Sequence, residues 1–149
     1  MIKHLCLTRL LVALALALCA VGCATTSGPL PTYVGPVEQR ASAGTIVFYR
    51  TPNAFGYGMR PDILIDGIKV GWSAPGTQFK VQVASGMRVI TCPNTIYAGQ
   101  RTLEVVVRAG ETVYVRTSMQ GAAFGGLATI DQVDETQAVA EVANLPPLK

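Results

Sequence analysis

The sequence predicts an all-β protein, a small antiparallel β-sandwich of about seven to eight strands with a short C-terminal helix. Two observations carry this prediction. Short segments rich in β-branched and aromatic residues recur roughly every 8–12 residues, and residues that favour turns separate them. Near the end of the chain, the spacing of apolar residues changes from the alternation typical of strands to the period typical of a helix.

The first strand is predicted at residues 45–50, where apolar side chains on both faces indicate burial on both. The clearest hairpin signal comes next, because Asp66-Gly67 separates the apolar runs 62–65 and 68–70. A type I′ turn needs a positive φ at both central residues, and Asp and Gly adopt that conformation at low cost. The remaining strands are predicted at 78–83, 87–92, 103–108, 112–117 and 127–133.

A short helix is predicted after the last strand. Residues 134–137 have the spacing of a capping box, and apolar residues follow at helical spacing up to Leu145. The helix is therefore expected over residues 135–143. Two consecutive prolines end the helical pattern, so residues 146–149 are predicted to form a tail.

The N-terminus has the features of a secretion signal. Lys3 and Arg9 give it positive charge, and residues 10–21 form an unbroken apolar run, shorter than the ~20 residues that span a membrane. The run ends at Ala20-Val21-Gly22-Cys23, which resembles the bacterial lipobox, in which the cysteine is acylated and becomes the new N-terminus. Residues 1–22 are therefore predicted to be a lipoprotein signal peptide, with Cys23 as the lipidation site.

A lipid anchor on Cys23 places the protein in the bacterial cell envelope. Two or more acyl chains give stable anchoring, whereas a single chain binds a membrane only marginally. Ala24 rather than Asp follows the cysteine, which by resemblance to Gram-negative sorting patterns favours the outer membrane, facing the periplasm. Residues 23–43 are rich in Ala, Thr, Ser, Gly and Pro and are predicted to be a flexible tether, with the β-sandwich domain at 44–145.

Charge and residue content exclude several function classes. The whole chain has 12 Lys and Arg and 9 Asp and Glu, and because Lys3 and Arg9 leave with the signal peptide, the mature net charge is only +1. Such a chain lacks the basic footprint of nucleic-acid binding, so no nucleic acid is expected as a partner. The only histidine, His4, also leaves, which removes the commonest general base and metal ligand. No metal, no cofactor and no enzymatic activity are predicted.

Cys92 is the one cysteine left for the mature domain, so an intramolecular disulfide is excluded. It is expected to be a buried small hydrophobe, with a reactive or intermolecular thiol as the alternative. Asp131, Asp134 and Glu135 cluster near the last strand, but their spacing matches no EF-hand loop, and capping and solvation account for them. A hydrolase, as an alternative, would depend on Asp131 or Glu135.

Five segments in this order resemble an uncharacterised bacterial lipoprotein domain, a family defined only as a domain of unknown function. The segments are 46–50, 65–67, 70–71, 83–86 and 108–115. The layout is also similar to the PEGA-type β-sandwich modules of cell-envelope proteins. The resemblance covers roughly residues 44–145. It implies a compact all-β domain in the periplasm or at the outer membrane, and it supplies no catalytic residue.

The features suited to binding are aromatic and glycine-rich loops. Phe55, Tyr57 and Arg60 share one loop, and Phe124 lies in a glycine-rich one. Amphipathic aromatics and Arg are typical interface anchors, although loop aromatics also fold back to cap a sandwich, and Trp72 is expected in the core.

These loops lead to two hypotheses for function. The leading one is a membrane-anchored envelope lipoprotein that acts as a non-catalytic binding or accessory module for a protein partner. The alternative is a glycan- or peptidoglycan-binding module, in which the same aromatic rings stack on sugars of the cell wall.

Overall fold

Two β-sheets pack face to face, and a short helix covers the outer side of the larger sheet. The computed structural model describes residues 33–53, 55–93, 100–122 and 125–149. The strands are β1 (Tyr33–Val34), β2 (Ala43–Arg50), β3 (Asp62–Ile65), β4 (Ile68–Trp72), β5 (Thr77–Ala84), β6 (Gly86–Pro93), β7 (Gln100–Val107), β8 (Thr112–Ala122) and β9 (Gly125–Val133). A 3₁₀ helix spans Val37–Ser42, and the α-helix α1 spans Glu135–Val142.

The larger sheet has the strand order β1-β5-β2-β8-β9, and the smaller one β4-β3-β6-β7. Most neighbouring strands are antiparallel, but β1 with β5 and β2 with β8 are parallel pairs. The predicted small all-β sandwich with a C-terminal helix is confirmed, and the predicted strands correspond to β2 through β9. Among the described residues, no helix is long and apolar enough to span a lipid bilayer.

β1 and the 3₁₀ helix were not expected from the sequence. Tyr33 and Val34 pair with Gln82 and Val83 of β5, and Val34 is buried in the main core. A strand of two residues is too short to show periodicity. Its position is set by the pairing with β5 and not by a pattern of its own. Tyr33 and Val34, which were predicted to belong to the tether, therefore lie in the larger sheet.

β2 is the central strand of the larger sheet, between β5 and β8. Its inner face contributes Ile46 and Phe48 to the core between the sheets, and the Phe48 ring stacks on Phe79 with centroids 5.1 Å apart. Its outer face contributes Tyr49, which packs under α1. The prediction that this strand is buried on both faces is confirmed by this packing.

The β3–β4 hairpin turns at Asp66-Gly67, with φ values of 50° and 81°. Both values are positive, as the type I′ prediction requires. The Asp66 carboxylate also accepts hydrogen bonds from Arg88 Nη1 at 2.8 Å and from the Val89 N–H at 2.9 Å. Asp66 therefore fixes the hairpin turn against β6 and has a structural task.

Helix α1 begins as the sequence predicts. The Asp134 carboxylate accepts a hydrogen bond from the Thr136 N–H at 2.9 Å. Gln137 donates to Glu141 at 2.7 Å, and within the described residues its side chain accepts no hydrogen bond from the Asp134 N–H, so the capping box is not completed. The apolar face of the helix, with fully buried Ala138, packs on Tyr49 and other outer-face residues of the larger sheet.

Glu141 holds α1 to the sheet through its carboxylate. It accepts hydrogen bonds from Tyr49 Oη at 2.9 Å and from Arg116 Nη1 at 3.1 Å. Burial raises the pKa of Glu141, but the hydrogen bonds from Gln137 and Tyr49 and the charge of Arg116 outweigh it and hold this pKa below its ordinary value. Burial, followed by the bond to Glu141, raises the pKa of Tyr49.

We expect Glu141→Gln to remove part of the acid sensitivity of folding. Because the folded-state pKa of Glu141 is depressed, its contribution to stability is present above the ordinary carboxyl pKa of 4.5 and is lost as the pH falls through the folded-state pKa. Urea unfolding of both chains across the range from neutral to acidic pH measures this. The variant should lose less stability than the wild type on acidification. Exposed Glu104→Gln is the control and should show the wild-type pH dependence.

Candidate binding groove

A buried arginine organises the loop that carries the predicted binding residues. Arg50, at the end of β2, is only 2% exposed. Its Nη1 donates to the Met59 carbonyl at 3.0 Å, and its Nη2 donates to the carbonyls of Phe55 and Gly56 at 3.2 and 2.9 Å. The guanidinium thus donates hydrogen bonds to carbonyls of the loop that are not paired in a sheet.

The segment that follows β4 lies beside this loop. The Ser73 N–H donates to the Pro61 carbonyl at 2.8 Å, and the Gly76 N–H donates to the Arg50 carbonyl at 2.9 Å. Thr77 Oγ1 closes the turn by donating to the Ala74 carbonyl at 2.9 Å. Backbone hydrogen bonds therefore join both ends of the loop between β2 and β3, at Arg50 and Pro61, to the segment between β4 and β5.

A groove of about 330 Å³ lies between these elements and the C-terminal segment, defined as residues 146–149. Tyr57 and Arg60 come from the loop, Trp72 from the end of β4, and Pro75 from the β4–β5 turn. This is the volume range in which proteins hold small ligands or a few residues of a peptide. We call it the binding groove.

The binding groove combines aromatic and proline surfaces with a free cation. The Tyr57 side chain is 71% exposed, so its ring offers a face to a ligand. Arg60 is exposed and forms no hydrogen bond or ion pair within the described residues. The groove is therefore suited to a ligand with an apolar or aromatic part and an anionic group.

The C-terminal segment forms one wall of the groove and is seated on β5. Pro146 O accepts from the Gln78 N–H at 3.0 Å, and the Leu148 N–H donates to Gln78 O at 2.7 Å. The Gln78 side chain adds hydrogen bonds to the carbonyls of Val142 and Leu145 at 3.1 and 2.7 Å. The tail predicted from the two prolines is thus bound to the sheet edge.

The structure does not bring all the predicted binding residues together. Tyr57 and Arg60 line the groove, but Phe55 turns to the other side of the loop, where its ring lies against Gly121 and Gly126 of the β8–β9 hairpin. Phe55 is 42% exposed and serves largely to pack the loop on this hairpin. Phe124 lies outside the described residues, as does the predicted lipidation site Cys23.

The carboxylates near β9 form no ligand set. Asp134 caps α1, and the described residues contain no group of three or more His, Cys, Asp or Glu side chains placed to share a metal ion. Asp131 and Glu135 are exposed.

Cys92 is buried in the core between the sheets, as expected. Burial, with a smaller effect of the Asp62 charge, raises the pKa of this thiol from 9.0 to about 11. The fraction of Cys92 present as the reactive thiolate is therefore about a hundredfold lower at neutral pH, and burial also shields the sulfur from reagents in solution.

We expect Cys92 to react with a thiol reagent only as fast as the domain opens. In a chain whose other cysteines are replaced by serine, labelling by iodoacetamide at pH 8 should be at least about a hundredfold slower in buffer than in denaturant. An exposed cysteine introduced by Gln120→Cys should label at similar rates in both. Fast labelling of Cys92 in buffer would show that the reactive-thiol alternative is correct.

Comparison of this chain with protein-family models, with curated proteins and with solved structures finds no match. The groove therefore has to be interpreted from its own residues. Tyr57 and Arg60, predicted as binding residues from their loop context, line the groove, and their role in binding stays a prediction. Trp72 was expected in the core, and the C-terminal segment was predicted only as a tail. The pairing of two prolines with β5 has no local sequence signal, because the contact joins residues 68 or more positions apart in the chain.

Proposed function

We propose that this protein is a lipid-anchored lipoprotein of the bacterial cell envelope that acts as a non-catalytic binding module for a protein partner. The observation that carries the proposal is the binding groove, in which Tyr57, Trp72 and Arg60 stand beside a bound extended segment of the chain itself. Exposed aromatics and Arg are the residue types that contribute most to protein interfaces.

The hydrogen bonds that hold the groove in one shape support a binding role beyond what the exposure of Tyr57 and Arg60 supports. Arg50 fixes the loop that carries Tyr57 and Arg60, and backbone hydrogen bonds fix the opposite rim. A site that is formed before binding avoids part of the entropy cost of ordering its side chains. The groove therefore has the preorganisation that a recognition site requires.

The anchor supports the same proposal. Cys23 and Tyr33 are ten residues apart, so a fully extended chain between them would span at most roughly 33–36 Å. An anchored domain on such a tether reaches partners at the membrane surface, which for Ala24 after the cysteine is proposed to be the periplasmic face of the outer membrane. Cys23→Ser should release the protein from the membrane fraction and abolish acyl labelling, and continued membrane retention would contradict the anchor.

Photo-crosslinking in intact cells tests the groove directly. A photoreactive amino acid at Tyr57 should form a discrete adduct with an envelope protein. The control is the same amino acid at Ala109, an exposed position in the β7–β8 turn, which lies at the opposite end of β2 because the Gly110 N–H donates to the Ala43 carbonyl. Equal adducts at both positions, or none at Tyr57, would contradict a partner site in the groove.

Glycan binding is the second candidate, and the exposed Tyr57 ring favours it, because aromatic faces stack on sugar rings. Arg60 would then pair with carboxylates of the cell wall. Binding of the purified protein to isolated sacculi separates the two functions. Retention that survives protease treatment of the sacculi, and that Tyr57→Ala abolishes, would favour glycan over a protein partner.

A further inference from the structure

Most basic side chains of the domain have a partner within it. Of the 12 Lys and Arg of the sequence, ten remain once Lys3 and Arg9 leave with the predicted signal peptide. Ion pairs with carboxylates hold four of them, Lys69, Arg88, Arg108 and Arg116. Arg40 lies over the ring of Tyr33, 5.6 Å from its centroid, and Arg50 donates to the loop carbonyls. These six cations need no partner from outside the chain.

The other four basic side chains form no hydrogen bond, ion pair or ring contact within the described residues. They are Arg60, Lys80, Arg101 and Lys149. Arg60 and Lys149 line the binding groove, and Lys80 lines a second cavity of about 330 Å³ that also borders the C-terminal segment. Arg101, on β7 at the edge of the smaller sheet, lines neither cavity. Three of the four unpaired cations are therefore gathered on one surface, which we call the basic surface.

No acidic side chain lines either cavity of the basic surface. The 9 Asp and Glu of the sequence all lie within the described residues, and none of them borders the groove or the second cavity. Asp62, the acid that follows the groove loop most closely in sequence, already pairs with Lys69 at 2.8 Å. A single exposed cation is ordinary on a protein surface. Three cations beside a preformed groove, with no acid among them, instead create a positive potential that attracts negatively charged partners.

The positions of the cations decide what kind of anion fits. Arg60 lines only the groove and Lys80 only the second cavity, while Pro147 and Leu148 line both. One small anion, such as free phosphate, therefore does not reach both cations. A ligand that pairs with both needs at least two anionic groups joined by a part that crosses the C-terminal segment. A polypeptide segment with Asp or Glu on both sides of an aromatic or apolar residue has this construction.

From these observations we infer that the protein partner presents an acidic segment to the basic surface. An aromatic or apolar residue of this segment enters the binding groove beside Tyr57 and Trp72, and flanking carboxylates pair with Arg60, Lys149 and Lys80. The inference rests on the function proposed above, since it specifies the chemistry of the partner that the groove binds. Because these ion pairs lie at the surface, they select the partner and speed its association more than they add affinity.

The first test lets the groove choose among unselected sequences. A library of random heptapeptides displayed on phage is selected against the full chain purified in detergent. We expect the recovered sequences to be at least about twofold enriched in Asp and Glu, beside an aromatic or large apolar residue. Trp72, the single tryptophan of the sequence, lines the groove, so its fluorescence measures the affinity of each recovered peptide.

The matched control for a recovered peptide has Asn and Gln in place of its Asp and Glu. It should bind at least about tenfold more weakly at low salt, and raising the salt concentration should weaken only the acidic peptide. Recovery of neutral or basic sequences, equal binding of the acidic and amide peptides, or a selection that recovers no sequence would overturn the inference.

The second test reverses the charge of the groove in intact cells. With the photoreactive amino acid at Tyr57, Arg60→Glu should lower the yield of the partner adduct at least about tenfold, whereas Arg60→Lys, which keeps the charge, should retain most of it. Arg101→Glu is the matched control, because Arg101 is equally exposed and unpaired within the described residues but lies away from the groove. An adduct that survives Arg60→Glu overturns the acidic segment and leaves the proposed function intact. A parent chain that forms no adduct contradicts the proposed function, and the peptide selection then decides the charge of the ligand separately.

Anionic lipid is another source of negative charge close to an anchored domain. The full lipidated chain is therefore placed in nanodiscs of phosphatidylcholine and, separately, in nanodiscs that also contain phosphatidylglycerol. We expect the same Trp72 emission in both. A shift with phosphatidylglycerol that Arg60→Glu abolishes would overturn the acidic protein segment in favour of a lipid-binding surface.

Discussion

Arg50→Met should lower the free energy of unfolding by about 3 kcal/mol, because it leaves the partly buried carbonyls of Phe55 and Met59 without their donor and removes one of the two donors to Gly56. The guanidinium donates to the carbonyls of Phe55, Gly56 and Met59. Its Nε has no hydrogen-bond partner among the described residues, so the stabilisation comes from Nη1 and Nη2. Burial lowers the pKa of Arg50, and no carboxylate forms an ion pair with it among the described residues, so the hydrogen-bonded carbonyls are what stabilise its charge.

The loss should be local as well as global. With its carbonyls released, the loop should open to chymotrypsin after Phe55 and Tyr57 under conditions in which the rest of the domain stays folded. Denaturant unfolding measures the first effect, and limited proteolysis measures the second. Arg101→Met is the matched control, since Arg101 is exposed on β7 and its side chain forms no hydrogen bond or ion pair within the described part of the chain. If the two variants were equally stable and equally resistant to cleavage, Arg50 would not be the organiser of the loop.

The same variant separates folding from recognition. If Arg50 only stabilised the domain, partner binding would fall in proportion to the folded fraction. Because it fixes the loop carrying Tyr57 and Arg60, we expect the Tyr57 adduct to be lost even at temperatures where Arg50→Met is fully folded. The temperature series of adduct yield against folded fraction distinguishes these outcomes.

The sequence predicts the strands well because their signals are local. Alternation over 78–83 and the Asp66-Gly67 turn need no information from the rest of the chain. β1 and the C-terminal segment differ, since each is held by the edge of β5 and has no pattern of its own. Their positions depend on tertiary contacts, which local propensity does not contain.

The site was predictable only in part for a related reason. The sequence predicts that Tyr57 and Arg60 line a binding surface because aromatics and Arg in a loop are typical interface residues, and the structure places both on the groove. The burial of Arg50 has no local sequence signal, because Arg is usually exposed, and it follows from a loop that folds back over the side chain. Trp72 was expected in the core, and it lies half-buried between the groove and a small cavity that Phe48 and Ile63 also line.

Gly44→Ala should destabilise the domain by about 3 kcal/mol through a steric conflict at the opposite end of β2. A Cβ at this position would lie against Val107 Cγ1 and 2.6 Å from the Arg108 carbonyl oxygen. A flexible side chain could move away, but this backbone is fixed, because the Thr45 N–H donates to the Glu111 carbonyl at 2.8 Å. The methyl group therefore forces the two sheets apart where β2 meets the β7–β8 turn.

Gly58→Ala is the matched control for the same chemical change. A Cβ at Gly58 has no atom within 4 Å, and the backbone there does not have a positive φ. Its stability should stay within about 0.5 kcal/mol of the wild type, and a small gain is expected because alanine restricts the unfolded chain.

Since Gly44 is far along β2 from the groove, folded Gly44→Ala should retain the wild-type Trp72 emission and the Tyr57 adduct, unlike Arg50→Met. If Gly44→Ala were as stable as Gly58→Ala, the predicted steric conflict at Gly44 would be absent.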